Sequence, residues 1–64
     1  MTIRKVDGVT ITATEETTGI CVEVHRDVDD KKLGEVLIES FNGRRKIHVF
    51  LGEHDEPARS IDLE

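Results

Sequence analysis

The residues with the clearest chemical capacity are three consecutive cations, Arg44, Arg45 and Lys46, the one basic cluster of the chain. Such a cluster can contact the phosphates of a nucleic-acid backbone, with an affinity that weakens as salt rises. Small barrels that bind single strands usually add exposed aromatic side chains on which bases stack. Phe41 and Phe50 are the only aromatic residues here, and both are expected to serve the core. The cluster alternatively forms a solvated turn that blunts a sheet edge.

Two groups of potential metal ligands are spaced poorly for a metal ion. Zinc requires three or four Cys, His or carboxylate ligands at fixed geometry. His48 is expected on a strand, whereas His54 and Asp55 are expected in the following loop. Cys21 and His25 share one face of a predicted strand, but four residues of extended chain separate them by ~13 Å. We therefore predict no metal site.

An acidic segment, Asp27, Asp29 and Asp30, has the alternation that begins a calcium loop. An EF-hand also requires glycine at the sixth position and a bidentate glutamate at the twelfth. Counted from Asp27, these positions hold Lys32 and Ile38. The segment is therefore predicted to be a solvated connection.

Catalytic motifs are missing from the sequence. Ser40 and Ser60 lie outside any G-x-S-x-G context, and there is no glycine-rich phosphate loop. A chain of 64 residues rarely builds the pocket of ~300 Å³ that encloses a small molecule. We expect a non-enzymatic protein with no cofactor and no small-molecule substrate.

Size and composition predict one small domain, residues 1–64, that lacks the means to stabilise itself fully. A domain of this length buries only ~60% of its unfolded surface. Its one cysteine, Cys21, cannot form an internal disulfide and is expected to be core or half-buried. The core must be aliphatic and thin. We therefore expect that another protein chain, which can be a second copy, helps to stabilise the domain.

The net charge argues against binding to nucleic acid and to anionic membranes. The hydropathy of the sequence argues against a membrane-spanning segment. The formal net charge is −5, so nucleic acid and anionic membranes repel the chain as a whole. No apolar stretch approaches the ~18 residues of a transmembrane helix. The start lacks the apolar segment of a secretory signal, and with a lone cysteine the expected compartment is the cytoplasm.

In the first half of the chain, apolar and polar residues alternate in three segments, a pattern that predicts three β-strands. TIRKV at 2–6 and VTITATE at 9–15 flank Asp7-Gly8, and Asp-Gly between alternating runs is a strong hairpin signal. Polar residues ending in Gly19 predict the next turn. In ICVEVHR at 20–26 the aliphatic residues share one face, with a clean period of two.

Residues 33–51 can be interpreted in two ways. In the first, Asn42-Gly43 forms a type I′ turn between two strands, and the two-residue loop fixes the register. That register opposes Val36 to Val49 and Ile38 to Ile47 on one face. On the other face it opposes Glu39 to Lys46, a carboxylate to an ammonium. Cross-strand pairs of these kinds each stabilise a sheet by ~0.2–1 kcal/mol.

The alternative is a helix over residues 29–42, capped by Asp27 or Asp29 and ended by Asn42-Gly43. Gly34 in its interior costs ~1 kcal/mol, and Ile38 falls on its wet face. We favour the hairpin. The sequence then predicts an all-β fold, a small antiparallel meander of five to six short strands curled into a partly closed barrel or roll. The last strand lies at about 58–63, after the loop that contains Pro57. The helix would instead give an α+β fold, with one helix on a four- to five-stranded sheet.

Two functions follow as expectations. The first is a regulatory or protein-interaction module that binds another protein, or a second copy of itself, through exposed edge strands and an acidic surface. Accessory and inhibitory factors, including those that phages encode, are of this kind. The second is a small nucleic-acid-binding barrel that contacts backbone phosphates through Arg44, Arg45 and Lys46 at a hairpin tip.

Overall fold

The computed structural model describes residues 1–63, which form a single six-stranded antiparallel sheet with strand order β1-β2-β3-β4-β5-β6. The strands are β1 (Thr2–Val6), β2 (Val9–Glu16), β3 (Gly19–Arg26), β4 (Lys31–Phe41), β5 (Arg44–Leu51) and β6 (Arg59–Asp62). Each strand pairs with its sequence neighbour, so the fold is a meander. The all-β prediction is confirmed.

The two tightest turns have the backbone that their residue types predict. Asp7 and Gly8 have φ of 47° and 80°, and Asn42 and Gly43 have φ of 51° and 75°. Positive φ at both central positions matches the twist of the flanking strands. The second turn sets the register predicted from the sequence, including Val36 opposite Val49.

Residues 29–42 do not form the alternative helix, because residues 31–41 are the longest strand of the sheet. Asp30 has a φ of 56° and ends the turn that precedes β4. The pairing of β3 with β4 shifts by one residue between Val24 and His25, which face Gly34 and Lys32. Leu33 is therefore the extra residue of a bulge, a feature that bends a strand and increases its twist.

The sheet is open and is not closed into a barrel. Each edge strand, β1 and β6, has one neighbour in the residues that the structure describes. A barrel requires these two edges to hydrogen-bond after the strands tilt and stagger. The chain is instead elongated, with extents of 40, 23 and 16 Å.

The register divides the strand residues between two faces of different character, since residues opposite each other on paired strands share a face. The face that we call the aliphatic face carries Val6, Val9, Ile11, Ala13, Ile20, Val22, Val24, Val36, Ile38, Ile47, Val49, Leu51 and Ile61. The polar face carries Lys5, Thr10, Thr12, Thr14, Glu16, Cys21, Glu23, His25, Lys32, Glu35, Glu39, Arg44, Lys46, His48, Ser60 and Asp62, with the apolar Ile3, Leu37, Phe41 and Phe50 among them.

This architecture leaves the chain without a core of its own. Among the described residues, Cys21 is the single buried hydrophobic side chain, at 8% exposure, and no side chain is completely buried. Stable domains bury the apolar side of a sheet against a second layer. The six strands supply one layer only, and the aliphatic face has nothing above it within residues 1–63.

Candidate functional site

The aliphatic face is a continuous apolar surface across β2 to β6. Ile20 is 40% exposed, Ile38 36%, Leu51 59% and Ile61 38%. The more central Val22, Val36 and Val49 of one cross-strand row are only half-covered by their neighbours. β-branched side chains hold few rotamers, so this surface is stiff as well as apolar. Contiguous exposed apolar patches of a few hundred Å² are often interaction sites, so this face is the candidate functional site.

Charged side chains surround the aliphatic face and hardly enter it. Its strand cations are Arg4, Arg26, Lys31, Arg45 and Arg59, and its single strand carboxylate is Glu15. The register places all six at strand ends or on the edge strands. An apolar centre within a polar, arginine-rich rim is the usual anatomy of a protein–protein interface.

The exposed area of the chain is larger than a self-contained protein of its mass would have. A compact monomer of 7.2 kDa is expected to expose about 4,100 Å², whereas this chain exposes 5,013 Å². The radius of gyration is 12.5 Å, against about 10.7 Å for a compact domain of 64 residues. About 900 Å² of surface is therefore in excess.

The centre of the polar face holds a hydrogen-bonded group of three side chains. The Cys21 thiol donates to Glu35 Oε2, with 3.0 Å between Sγ and oxygen, and Lys32 Nζ donates to Glu35 Oε1. Burial, and then the neighbouring Glu35 carboxylate, raise the pKa of the Cys21 thiol to about 12. The Lys32 ammonium, followed by the Cys21 hydrogen bond, holds the pKa of Glu35 below its usual value. At neutral pH the thiol is therefore protonated and unreactive.

Three potential metal ligands also meet here, because Sγ of Cys21 and a carboxylate oxygen each of Glu23 and Glu35 lie within 4.8 Å of one another. No spacing in the sequence predicts this group. Glu35 lies near Cys21 because of the register between β3 and β4. A bulge shifts this register, and the charged connection at 27–30 carries no residue pattern that predicts it. Lys32 already neutralises Glu35, so a metal ion would have to displace that ammonium and deprotonate the thiol.

We predict that Glu35→Gln makes Cys21 more reactive. Removing the carboxylate lowers the thiol pKa from about 12 toward the usual 9.0, so the thiolate fraction rises. Iodoacetamide should alkylate the folded variant several-fold faster than the parent protein at pH 9. In the parent protein, the free energy of unfolding should fall as pH rises from about 9 toward 12, because the unfolded thiol ionises first.

Glu39→Gln is the matched control for this experiment, because Glu39 lies on the same face of the same strand and contacts His48 instead. Its alkylation rate should equal that of the parent protein. Identical pH profiles for the parent and Glu35→Gln would show that the carboxylate does not control the thiol.

A second polar group spans β4, β5 and β6. His48 lies 2.7 Å from Glu39 through Nε2 and 2.7 Å from Ser60 through Nδ1. A carboxylate only accepts, so Nε2 donates to Glu39, and in the neutral ring Nδ1 accepts the Ser60 hydroxyl proton. These residue types occur in acyl-transfer triads, but Ser60 lies exposed on a four-residue edge strand. Here they link β6 to its neighbour β5 and, through Glu39, to β4.

The basic cluster is divided between the two faces. Arg44 and Lys46 lie on the polar face, where Lys46 Nζ is 3.6 Å from an Asp62 carboxylate oxygen, whereas Arg45 lies on the aliphatic face. Alternation along a strand causes this division. Nucleic-acid binding through these three residues remains a prediction. Because the three side chains lie on both faces of the sheet, a phosphate backbone would have to pass over the end of the β4–β5 hairpin to contact all of them.

The acidic segment at 27–30 is engaged in local contacts. Asp27 accepts a hydrogen bond from the Thr10 hydroxyl. Asp29 accepts two hydrogen bonds from the Arg26 guanidinium, at 3.0 and 2.6 Å, and one from the Lys31 amide. The Arg26 contact lowers the pKa of Asp29 to about 2. These contacts close the turn between β3 and β4.

The loop after β5 forms a shallow cleft. His54 and Asp55 line it together with Leu51 and Pro57. His48 lies on the polar face of β5, so the structure does not bring it together with them into one ligand group within residues 1–63.

No protein-family model, curated protein or solved structure matches this chain. Within residues 1–63 no helix is long and apolar enough to cross a membrane. The class that the geometry defines is an open antiparallel meander with one aliphatic face.

Proposed function

We propose that this chain is a non-catalytic protein-interaction module whose aliphatic face binds a polypeptide, and that it acts as a regulatory or accessory factor. The observation that carries the proposal is an extended aliphatic face, without a covering layer, in a chain that has no core of its own. Covering this face removes aliphatic side chains from water, which is the main favourable contribution to protein association. That gain opposes the translational and rotational freedom that the partners lose on binding.

The face is a better binding surface than the two edges of the sheet. β1 has five residues and contains Arg4 and Lys5, and β6 has four and contains Arg59. Short, charged edge strands discourage the addition of a further strand. The sequence suggested that a partner adds a strand at an edge of the sheet. Because both edges are short and charged, we favour binding at the aliphatic face over strand addition.

Site-specific photo-cross-linking in cells tests the proposal. A benzophenone amino acid at position 38, in place of Ile38, would project from the aliphatic face. We expect it to yield a discrete cross-linked polypeptide, because a bound chain lies within reach of that side chain.

The matched control carries the same amino acid in place of Leu37, the adjacent residue on the polar face. It should yield little or no product. If position 38 captures no polypeptide, or if both positions capture the same products, the aliphatic face is not the binding surface.

A further inference from the structure

The proposed function leaves the identity of the bound polypeptide open, and the inference here rests on that function. We infer that the aliphatic face is covered by a second copy of this chain. Two sheets pack face to face, and the dimer is a two-layer β-sandwich whose core belongs to both chains.

The surface that the chain exposes in excess agrees with what a stable dimer buries. A standard protein–protein interface buries about 800 Å² on each partner. This chain exposes 5,013 Å², about 900 Å² more than expected for a compact protein of its mass. One interface of ordinary size would therefore bring the exposed area per chain to the value of a compact protein. No larger partner is required.

The shape of the face also suits a copy of itself. The chain extends 40 Å by 23 Å, and two copies offer aliphatic faces of the same outline. Aliphatic faces of two sheets pack ~10 Å apart, with their side chains interdigitated and their strands within about 30°. Such an interface is isologous, since each chain contributes the same patch. Val, Ile and Leu side chains at the centre would then form the missing core.

The distribution of charge keeps ionised side chains out of the centre of such an interface. The strand carboxylates Glu16, Glu23, Glu35, Glu39 and Asp62 all lie on the polar face, which would form both outer surfaces of the sandwich. Cations of the aliphatic face lie at its rim, where Arg4 and Arg59 occupy the two edge strands. Long arginine stems can cover apolar surface while the guanidinium stays in water. No charged residue of the strands needs to enter the centre.

The test measures the mass of the purified chain in solution, by sedimentation equilibrium from 1 to 100 µM. We expect about 14.4 kDa, twice the 7.2 kDa of one chain. A folded species of 7.2 kDa throughout this range would overturn the inference.

A second measurement identifies the face that forms the dimer. In a mixture of isotope-labelled and unlabelled chains, contacts between copies appear as intermolecular NOEs. We expect them at the methyl groups of Val36, Ile38 and Ile47 and not at those of Leu37. Intermolecular NOEs confined to β1 or β6 would show edge-to-edge pairing, and the sandwich would be wrong.

The same experiments separate the failure of this inference from the failure of the proposed function. If the chain is a monomer and still cross-links another polypeptide through position 38, the dimer is wrong and the protein-interaction function stands. A monomer with no cross-linked product at that position overturns both.

Discussion

Replacing Val22 by Lys should abolish the dimer and leave the chain largely unfolded at micromolar concentration. Val22 lies in a central row of the aliphatic face, opposite Ala13 on one side and Val36 on the other. The nearer sheet edge is two strands away, about 10 Å, which exceeds the reach of a lysine side chain. Inside a sandwich the ammonium would be buried without a counterion, at a cost of several kcal/mol.

Thr12→Lys is the control, because it introduces the same side chain on the opposite face. Thr12 lies beside Glu23 on the polar face, which faces water in the dimer. This variant should keep its mass and its unfolding midpoint. Circular dichroism and sedimentation on both variants measure the effect. If Val22→Lys stays a folded dimer, the aliphatic face is not buried in it.

Gly19→Ala should lower the free energy of unfolding by about 1–3 kcal/mol, a large share for a small domain. Gly19 begins β3 opposite Glu39, and a Cβ there would overlap the carbonyl oxygen of Ile38. That oxygen belongs to the backbone, so relief requires the β3–β4 pairing to open at its end. The Ser40 amide, which donates to the Thr18 carbonyl at 2.7 Å, should lose protection from hydrogen exchange.

Thr18→Ala is the control for this effect. Thr18 is exposed and adjoins Gly19, so its substitution should change the unfolding free energy by less than about 0.5 kcal/mol. Urea unfolding of the two variants at equal concentration gives the comparison. Equal midpoints for Gly19→Ala and the parent protein would contradict the close approach of the two strands.

The local elements of the fold follow from the sequence because their signals are local. A type I′ turn requires positive φ at both central positions, and Asp7-Gly8 and Asn42-Gly43 are residue pairs that adopt it readily. The turn at 42–43 then fixes every pair from Phe41 opposite Arg44 to Gly34 opposite Leu51. The choice of strand over helix for residues 31–41 depends on this turn and on Gly34.

Whether the sheet closes could not be predicted in the same way. Closure depends on the tilt and stagger summed over six strands, and no single residue determines either. The register of β3 against β4 was also beyond the sequence, because the bulge at Leu33 moves Glu35 beside Cys21. The pairing of Val36 with Val49 and of Ile38 with Ile47 on one face was predicted correctly. That the aliphatic residues of different strands form one uncovered face becomes clear only from the registers of all five strand pairs together.

The most direct test of the account is the solvent accessibility of methyl groups, measured by the relaxation that a soluble paramagnetic agent causes. At concentrations where the chain is folded, the methyl groups of Val22, Val36 and Ile47 should be protected, whereas those of Ile3 on the polar face should relax strongly. Equal relaxation on the two faces would mean that the aliphatic face of the folded protein lies open to water, and that neither a second copy nor any other chain is needed to complete it.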